Sequence, residues 1–354
     1  MRITHITPLF YPHVGGIEKH LAALNAELSK NRHAVTVITQ KHDPSLESTE
    51  IHKNETVIRI DSLVDLSDPF YKVLYKLNIW KGLYSKLSHL RAADVIHIHD
   101  VFWWLIPFLP FLNRKKIFIT FHGYEGSEAP KFTQVFWHRI AAWYCSGNIC
   151  VGDFHKKWYG VIPTVVTYGA VSDSQKSLDK IIFSKVLKII YIGRLSTDSG
   201  IRAYLEAVAV LKNNGLLVHL DVFGSGEYMQ YCKEYSKSHH LSVDFHGAIN
   251  DAARVLPHYH IAFVSRYLAI LESLQVGLPV IAHYNNDIKY DYLALAPFAQ
   301  WISIAHSADE IVASVKKTLQ SESYHQPLAA KSWITNQTWQ KMAGIYFSLW
   351  QSHR

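Results

Sequence analysis

Only three cysteines, Cys145, Cys150 and Cys232, occur in 354 residues, and no two form a C-x-x-C pair. A disulfide framework is therefore excluded, and a reducing compartment is expected. No apolar run approaches the ~20 residues needed to span a bilayer. The chain also enters a strand at once, so neither a transmembrane helix nor a signal peptide is expected, and the protein reads as cytoplasmic. Nucleic-acid motifs and dense basic runs are missing as well. The net charge of +7 calls for an anionic partner, and nucleic acid is the weakest candidate beside nucleotide phosphates and anionic lipid. Internal repeats and low-complexity segments are absent.

What is present is apolar sequence, at 49% hydrophobic and 13% aromatic, enough for two cores. Short apolar strands alternate with helix-length segments: 2–7, 34–39, 56–61, 94–99, 116–121 and 148–151, then 187–193, 217–223, 243–246, 260–264, 279–282 and 299–303. Buried strands separated by helices mark doubly wound parallel sheets. The pattern pauses at the polar stretch 169–186. The predicted class is α/β, with two Rossmann-like doubly wound domains facing across a cleft. Ligands in such sheets bind beyond the carboxyl ends of the strands.

Two strand exits carry chemistry. Gly15-Gly16 opens the first helix in YPHVGGIEKHLAALNAEL, where glycine lets the backbone approach a ligand. In LKIIYIGRLSTDSG, Gly193-Arg194 leaves an apolar strand just before a helix near Ser199-Gly200, a place to hold a phosphate. The bland alternatives are a tight turn for the first and a surface ion pair for Arg194.

The motifs continue in order: DVIHIH, TFHGYE, Tyr168-Gly169-Ala170-Val171, GRLSTDSG, FGSGE, DFHGAIND and LAILESLQVGLPVIA. Together they resemble the signature of family 4 glycosyltransferases, which have the GT-B fold, and the resemblance spans essentially the whole chain. It implies a retaining transferase that moves a sugar from a nucleotide donor, UDP- or GDP-linked, to a glycan or lipid-linked acceptor in envelope or exopolysaccharide assembly. No metal or other cofactor is implied. Arg194 would neutralise the leaving diphosphate, Glu272 would bind the donor ribose, and His122 would face the transferred sugar. Gly224 and Gly226 would shape the wall of the site, with His246, Gly247, Ile249 and Arg254 near the base.

Two positions depart from the family pattern. Ser199 stands where the diphosphate lysine is expected, and Arg202, one turn on, could reach back to replace it. The first glutamate of the E-x7-E motif falls on Val264, and the loop after it is shortened to Ser265-Arg266-Tyr267, followed by Leu268. These departures favour a second reading, a non-catalytic GT-B protein that binds a nucleotide or glycan. A third, an epimerase or phosphorylase, is opposed by the GRL and LESLQVGLPVIA motifs. His97 and His99 share one strand face, but further metal ligands at suitable spacing are lacking.

The segments 68–91 and 101–116 interleave aromatics with lysine and arginine, which suits peripheral contact with the inner face of a membrane. Ordinary sheet-covering helices would read the same way. TWQKMAGIYFSLW resembles a terminal helix that returns to the first domain. The expected domains are thus 1–170 with 331–354, and 171–330.

Overall fold

A computed structural model describes every residue except 66, 68, 125–127, 173–176, 250 and 353–354. Asp68 at the head of the basic aromatic segment, Glu125 of TFHGYE, part of the 169–186 linker and Asn250 of the base loop lie outside the described residues.

The chain divides into two units, 1–124 with 130–167 and 339–354, and 125–129 with 168–338. In the first unit the strands are β1 (Arg2–Ile6), β2 (Ala34–Gln40), β3 (Thr49–His52), β4 (Glu55–Ile60), β5 (Val95–His99), β6 (Ile117–Phe121), β7 (Gly147–Val151) and β8 (Val165–Thr167). They form one sheet in the order β3-β4-β2-β1-β5-β6-β7-β8, parallel except for the antiparallel β3–β4 edge. The helices are α1 (Gly16–Lys30), α2 (Tyr71–Tyr84), α3 (Leu87–Ala92), α4 (Phe132–Tyr144) and α5 (Phe154–Tyr159). Strands β5, β6 and β7 are buried at every position, as expected for strands covered on both faces.

In the second unit, β9 (Ile181–Ile182) precedes β10 (Val186–Ile192), β11 (Leu217–Phe223), β12 (Val243–Gly247), β13 (Ile261–Phe263), β14 (Val280–His283), β15 (Ser303–Ala305) and β16 (Ser323–Tyr324). The main sheet runs β12-β11-β10-β13-β14-β15, and β9 pairs with β16 in a separate antiparallel ribbon. Helices α6 (Ile201–Asn213), α7 (Met229–Ser238), α8 (Tyr267–Val276), α9 (Asp287–Ala294), α10 (Ala308–Thr318) and α11 (Leu328–Ile334) belong here, whereas α12 (Trp339–Ser352) returns to pack on α1. Helix α6 shows why: Ile201, Tyr204, Leu205, Val208 and Leu211 recur at helical spacing and are buried in the core with Ile189 and Phe263.

Two expectations need correction. The predicted strand 299–303 is a 3-10 turn, Pro297–Trp301, and the strand starts at Ser303. Pro297 fixes the first turn and lacks the N–H a ladder would use. Residues 331–338 stay with the second unit, because α11 packs on α8; the return begins at Trp339.

Candidate active site

The carboxyl ends of the second unit's strands deliver the predicted motifs to one edge. Strand β10 leads to Gly193-Arg194, β11 to Gly224, β12 ends at Gly247, and β13 leads to Ser265-Arg266. Glycine is needed where these exits pass each other. A Cβ on Gly224 would sit 1.8 Å from the Gly193 carbonyl oxygen, and one on Gly226 would lie 2.3 Å from that of Leu195. Neither backbone can yield without moving the Gly-Arg turn. Gly224→Ala is therefore expected to cost about 1–3 kcal/mol of stability through overpacking. Thermal unfolding checks this; an unchanged Tm would mean that the two exits separate freely.

Gly200, at φ 86°, turns the chain into α6. Just before it, Ser199 is spent locally: its hydroxyl donates to the Ser196 carbonyl at 2.7 Å and accepts from the Ile201 N–H at 3.3 Å. Asp198 gathers the charges. Arg194 Nη2 lies 3.7 Å from its Oδ2, and Arg266 Nη2 donates to the same oxygen. Burial acts to raise the Asp198 pKa, but Arg266, the Ser196 hydroxyl and Arg194 overcome it and hold the carboxyl below its usual range. The Lys289 ammonium donates to the Asp198 main-chain oxygen. With 74% of its side chain exposed, Arg194 is free to leave Asp198 for a ligand.

Arg202 does not join this group. Its guanidinium lies over the Tyr231 ring, 5.0 Å from the centroid, and interacts with the Tyr231 and Tyr228 hydroxyls of the α7 region. Stacking on α7 holds it away from Asp198, which corrects the expectation that it reaches back to Ser199. Tyr267 is likewise committed to packing: buried, it stacks on Tyr292 at 3.9 Å and donates its hydroxyl to the Tyr292 carbonyl. Leu268 lies against Gly169, where a Cβ would approach it to 2.9 Å. Glu272 is nearly buried on α8. His246 bonds Asp221 at 2.5 Å and stacks on Phe223, so at this position the main chain of Gly247 (φ 76°) and half-buried Ile249 remain for a ligand. Arg254 is exposed and pairs with Asp251 at 2.9 Å.

In the first unit, Gly15 is the extended N-cap of α1 and Gly16 its first residue. A Cβ on Gly15 would meet the Glu18 carboxylate at 2.3 Å. His122 follows β6 and takes part in a histidine network that the sequence reading did not find. His5 Nδ1 lies 3.0 Å from His99 Nε2, and His99 Nδ1 lies 2.7 Å from His122 Nε2. The His122 main-chain N–H donates to Asp100 at 2.9 Å; Asp100 itself sits at φ 63°. Alongside, Trp350 donates to His97 Nδ1 at 2.9 Å, so neutral His97 carries its proton on Nε2 and donates it to Thr120 at 2.7 Å. Thr120 contacts Tyr346, which reaches His20 at 3.1 Å.

Burial holds these imidazoles neutral. It lowers His5 to about 3 and His20 to about 4, and it takes His97, His99 and His122 well below the usual range. Neutrality then orders the relay. Among the described residues, buried His5 Nε2 has no hydrogen-bond partner. If protons pass from His5 to His99 to His122, that atom is a bare lone pair; the reverse order would leave an unpaired N–H. Orphaned buried N–H groups are the rarer. The first order follows, and it leaves His122 with its proton on Nδ1, as a hydrogen-bond donor. The H-x-H spacing of 97 and 99 was the available signal, but it could not show that His5 joins them: β1 pairs with β5, placing His5 beside His97.

Two parallel α/β sheets, with a Gly-Arg turn and clustered cations at the strand ends of the second, define a two-domain nucleotide-binding protein of GT-B type. Residues 14–167 match the profile of Glycosyltransferase Family 4, and residues 174–335 match Glycosyl transferases group 1. The chain belongs to the family 4 glycosyltransferases. It is 26% identical over 325 residues to the alpha-monoglucosyldiacylglycerol synthase of Streptococcus pneumoniae, covering 80% of this chain and 71% of that one. Among solved structures, sucrose-phosphate synthase from Thermosynechococcus elongatus superposes with a TM-score of 0.77 at 13% identity, over 99% of both chains. The Anabaena protein HepE, bound to UDP and glucose, gives 0.67 at 14% identity, over 99% of this chain and 98% of that one. At such identities these structures establish the fold alone.

Proposed function

We propose that this enzyme is a retaining glycosyltransferase that moves a sugar, from a UDP-linked donor, to a lipid-linked acceptor at an anionic membrane surface. The donor reading rests on the second unit. There Arg194 is exposed beside the turn into α6 and meets the charge that develops on the leaving diphosphate. Glu272 accepts from the ribose hydroxyls. In the first unit the Nδ1–H of His122 offers a donor to a sugar oxygen.

The observation that carries the acceptor reading is one face of the first unit. Helix α2 connects β4 to β5 and α4 connects β6 to β7, crossing the sheet in the same direction. Right-handed crossovers therefore place both on one side, opposite the β1–β2 helix α1. The segment 102–116 bridges them: Trp80 of α2 donates to the Trp103 carbonyl at 3.3 Å, and Arg114 donates to the carbonyls of Trp143 and Tyr144 at the end of α4. Within the bridging segment Phe102, Trp104, Leu105, Phe108 and Leu112 are buried, while Phe111 stays exposed beside exposed Arg114 and Lys115, so its outer edge still belongs to this face. Helix α4 extends the same face. Phe70 at the N-cap of α2 and Leu74, Leu77 and Tyr84 within it are exposed at helical spacing, and on α4 Phe132, Phe136 and Trp143 are exposed likewise. Neither helix contains an acidic residue, and Lys72, Lys76 and Lys81 flank the first row.

Apolar rows edged by lysine suit an interfacial position, where each added cation contributes about 1 kcal/mol near anionic lipid. Among the described residues no helix is long and apolar enough to cross a membrane. Flotation with phosphatidylglycerol vesicles tests the reading. The protein is expected to float with them and not with phosphatidylcholine vesicles, and Phe136→Ser with Trp143→Ser is expected to abolish flotation. No flotation by the wild type, with efficient transfer to a soluble glycan, would replace the lipid acceptor with a glycan.

A further inference from the structure

Three cations gather at Asp198, just before α6. Arg194 and Arg266 both address Asp198 Oδ2, and Lys289 donates to the main-chain oxygen of the same residue. Lys289 comes from α9 and its side chain is fully buried. Buried lysines are ordinarily paired with a carboxylate, yet among the described residues this ammonium bonds only to a carbonyl. The charges felt at Lys289 are Arg266 against it and Asp198 for it, while the neighbouring His283 of β14 is lowered by burial first and by Lys289 second. No second cation comes from the expected positions, because Ser199 is uncharged and tied to Ser196, and Arg202 lies on Tyr231. With all three cations charged, the turn carries two more positive charges than negative ones. An anion with two adjacent charges would cancel that surplus.

On the reading of this unit as the nucleotide-sugar site, we propose that Lys289 and Arg266 complete the diphosphate-binding site with Arg194, and that Lys289 takes up a proton from solvent as the diphosphate binds. Burial, with Arg266, lowers Lys289 to about 7 in the empty site. At pH 8 the amine is then mostly neutral, whereas a diphosphate beside it favours the charged form. The ligand is already fully ionised at that pH, because its last phosphate ionisation lies at roughly 6. Proton uptake at pH 8 therefore reports on the protein.

Calorimetric titration of the full chain with UDP and with uridine, at pH 8 in two buffers of different ionisation enthalpy, tests the proposal. The wild type is expected to take up a proton with UDP and none with uridine. Lys289→Met should bind UDP at least ~10-fold more weakly, the loss expected for a charge-assisted contact, with uridine binding unchanged. Lys289→Arg should bind UDP without proton uptake, since arginine stays charged, and it decides the matter if the methionine variant fails to fold. UDP binding without proton uptake in the wild type would overturn the proposal alone. Absence of binding by UDP, GDP, ADP and dTDP would overturn the donor-site reading and this proposal with it.

Discussion

Between pH 6.5 and about 5 the first unit is expected to unfold while the second remains folded. Among the described residues the first unit buries five imidazoles, His5, His20, His97, His99 and His155, and burial lowers every one of them. In an unfolded chain each would protonate near 6.5. Below that pH the unfolded state binds more protons than the folded state, so stability falls as pH falls. The window closes only at the folded values, about 3 for His5 and His155 and about 4 for His20. Each such group contributes a slope of about 1.4 kcal/mol per pH unit. Several acting together exhaust a typical domain stability of about 5–15 kcal/mol within one or two units. Among its described residues the second unit carries one buried imidazole of this kind, His283, lowered to about 4. Circular dichroism and tryptophan fluorescence against pH should show an early step, sensed by Trp350 on His97, and a later one. A single transition below pH 4 would mean that the network accepts protons without opening.

Arg194→Ala is expected to lower turnover by at least ~10²-fold, because removing a preorganised donor to a developing anion costs about 3–4 kcal/mol. The side chain is 74% exposed and contributes little to the core, so Tm should stay unchanged. The effect should fall on kcat more than on donor affinity, since Arg266 and Lys289 still attract the diphosphate in the ground state. Steady-state kinetics with a verified donor separates the two. Near-normal kcat would remove Arg194 from the leaving group.

The sheets were legible because fully buried strands such as VIHIH and IFITF are continuous apolar runs between helices. Strand β3, TEIH, escaped notice because it is a half-exposed antiparallel edge with no such run. The site was legible where chemistry is local, as in Gly193-Arg194 and the glycines that shape its turn. It was not legible where the cation comes from elsewhere. Lys289 lies 91 positions from Asp198 and has no motif around it, so only the fold brings the two together. Arg202 failed for the opposite reason: helical spacing put it near Ser199, but Tyr231 on a neighbouring helix offers its ring a closer partner. The outward rows of α2 and α4 could be seen as aromatic and basic, but which rows face outward depends on which segment the sheet buries.

Above all, this chain is expected to transfer sugar from a nucleotide donor. A direct test is release of nucleoside diphosphate from UDP-sugars, followed with radiolabelled sugar in the presence of phosphatidylglycerol vesicles that carry lipid acceptors. UDP release is expected to be matched by label in the lipid phase, both at least ~10²-fold lower in Arg194→Ala. Tight UDP binding with no release and no labelled product, from UDP-, GDP-, ADP- or dTDP-sugars and with lipid or glycan acceptors alike, would contradict it and leave a protein that binds nucleotide without turning it over.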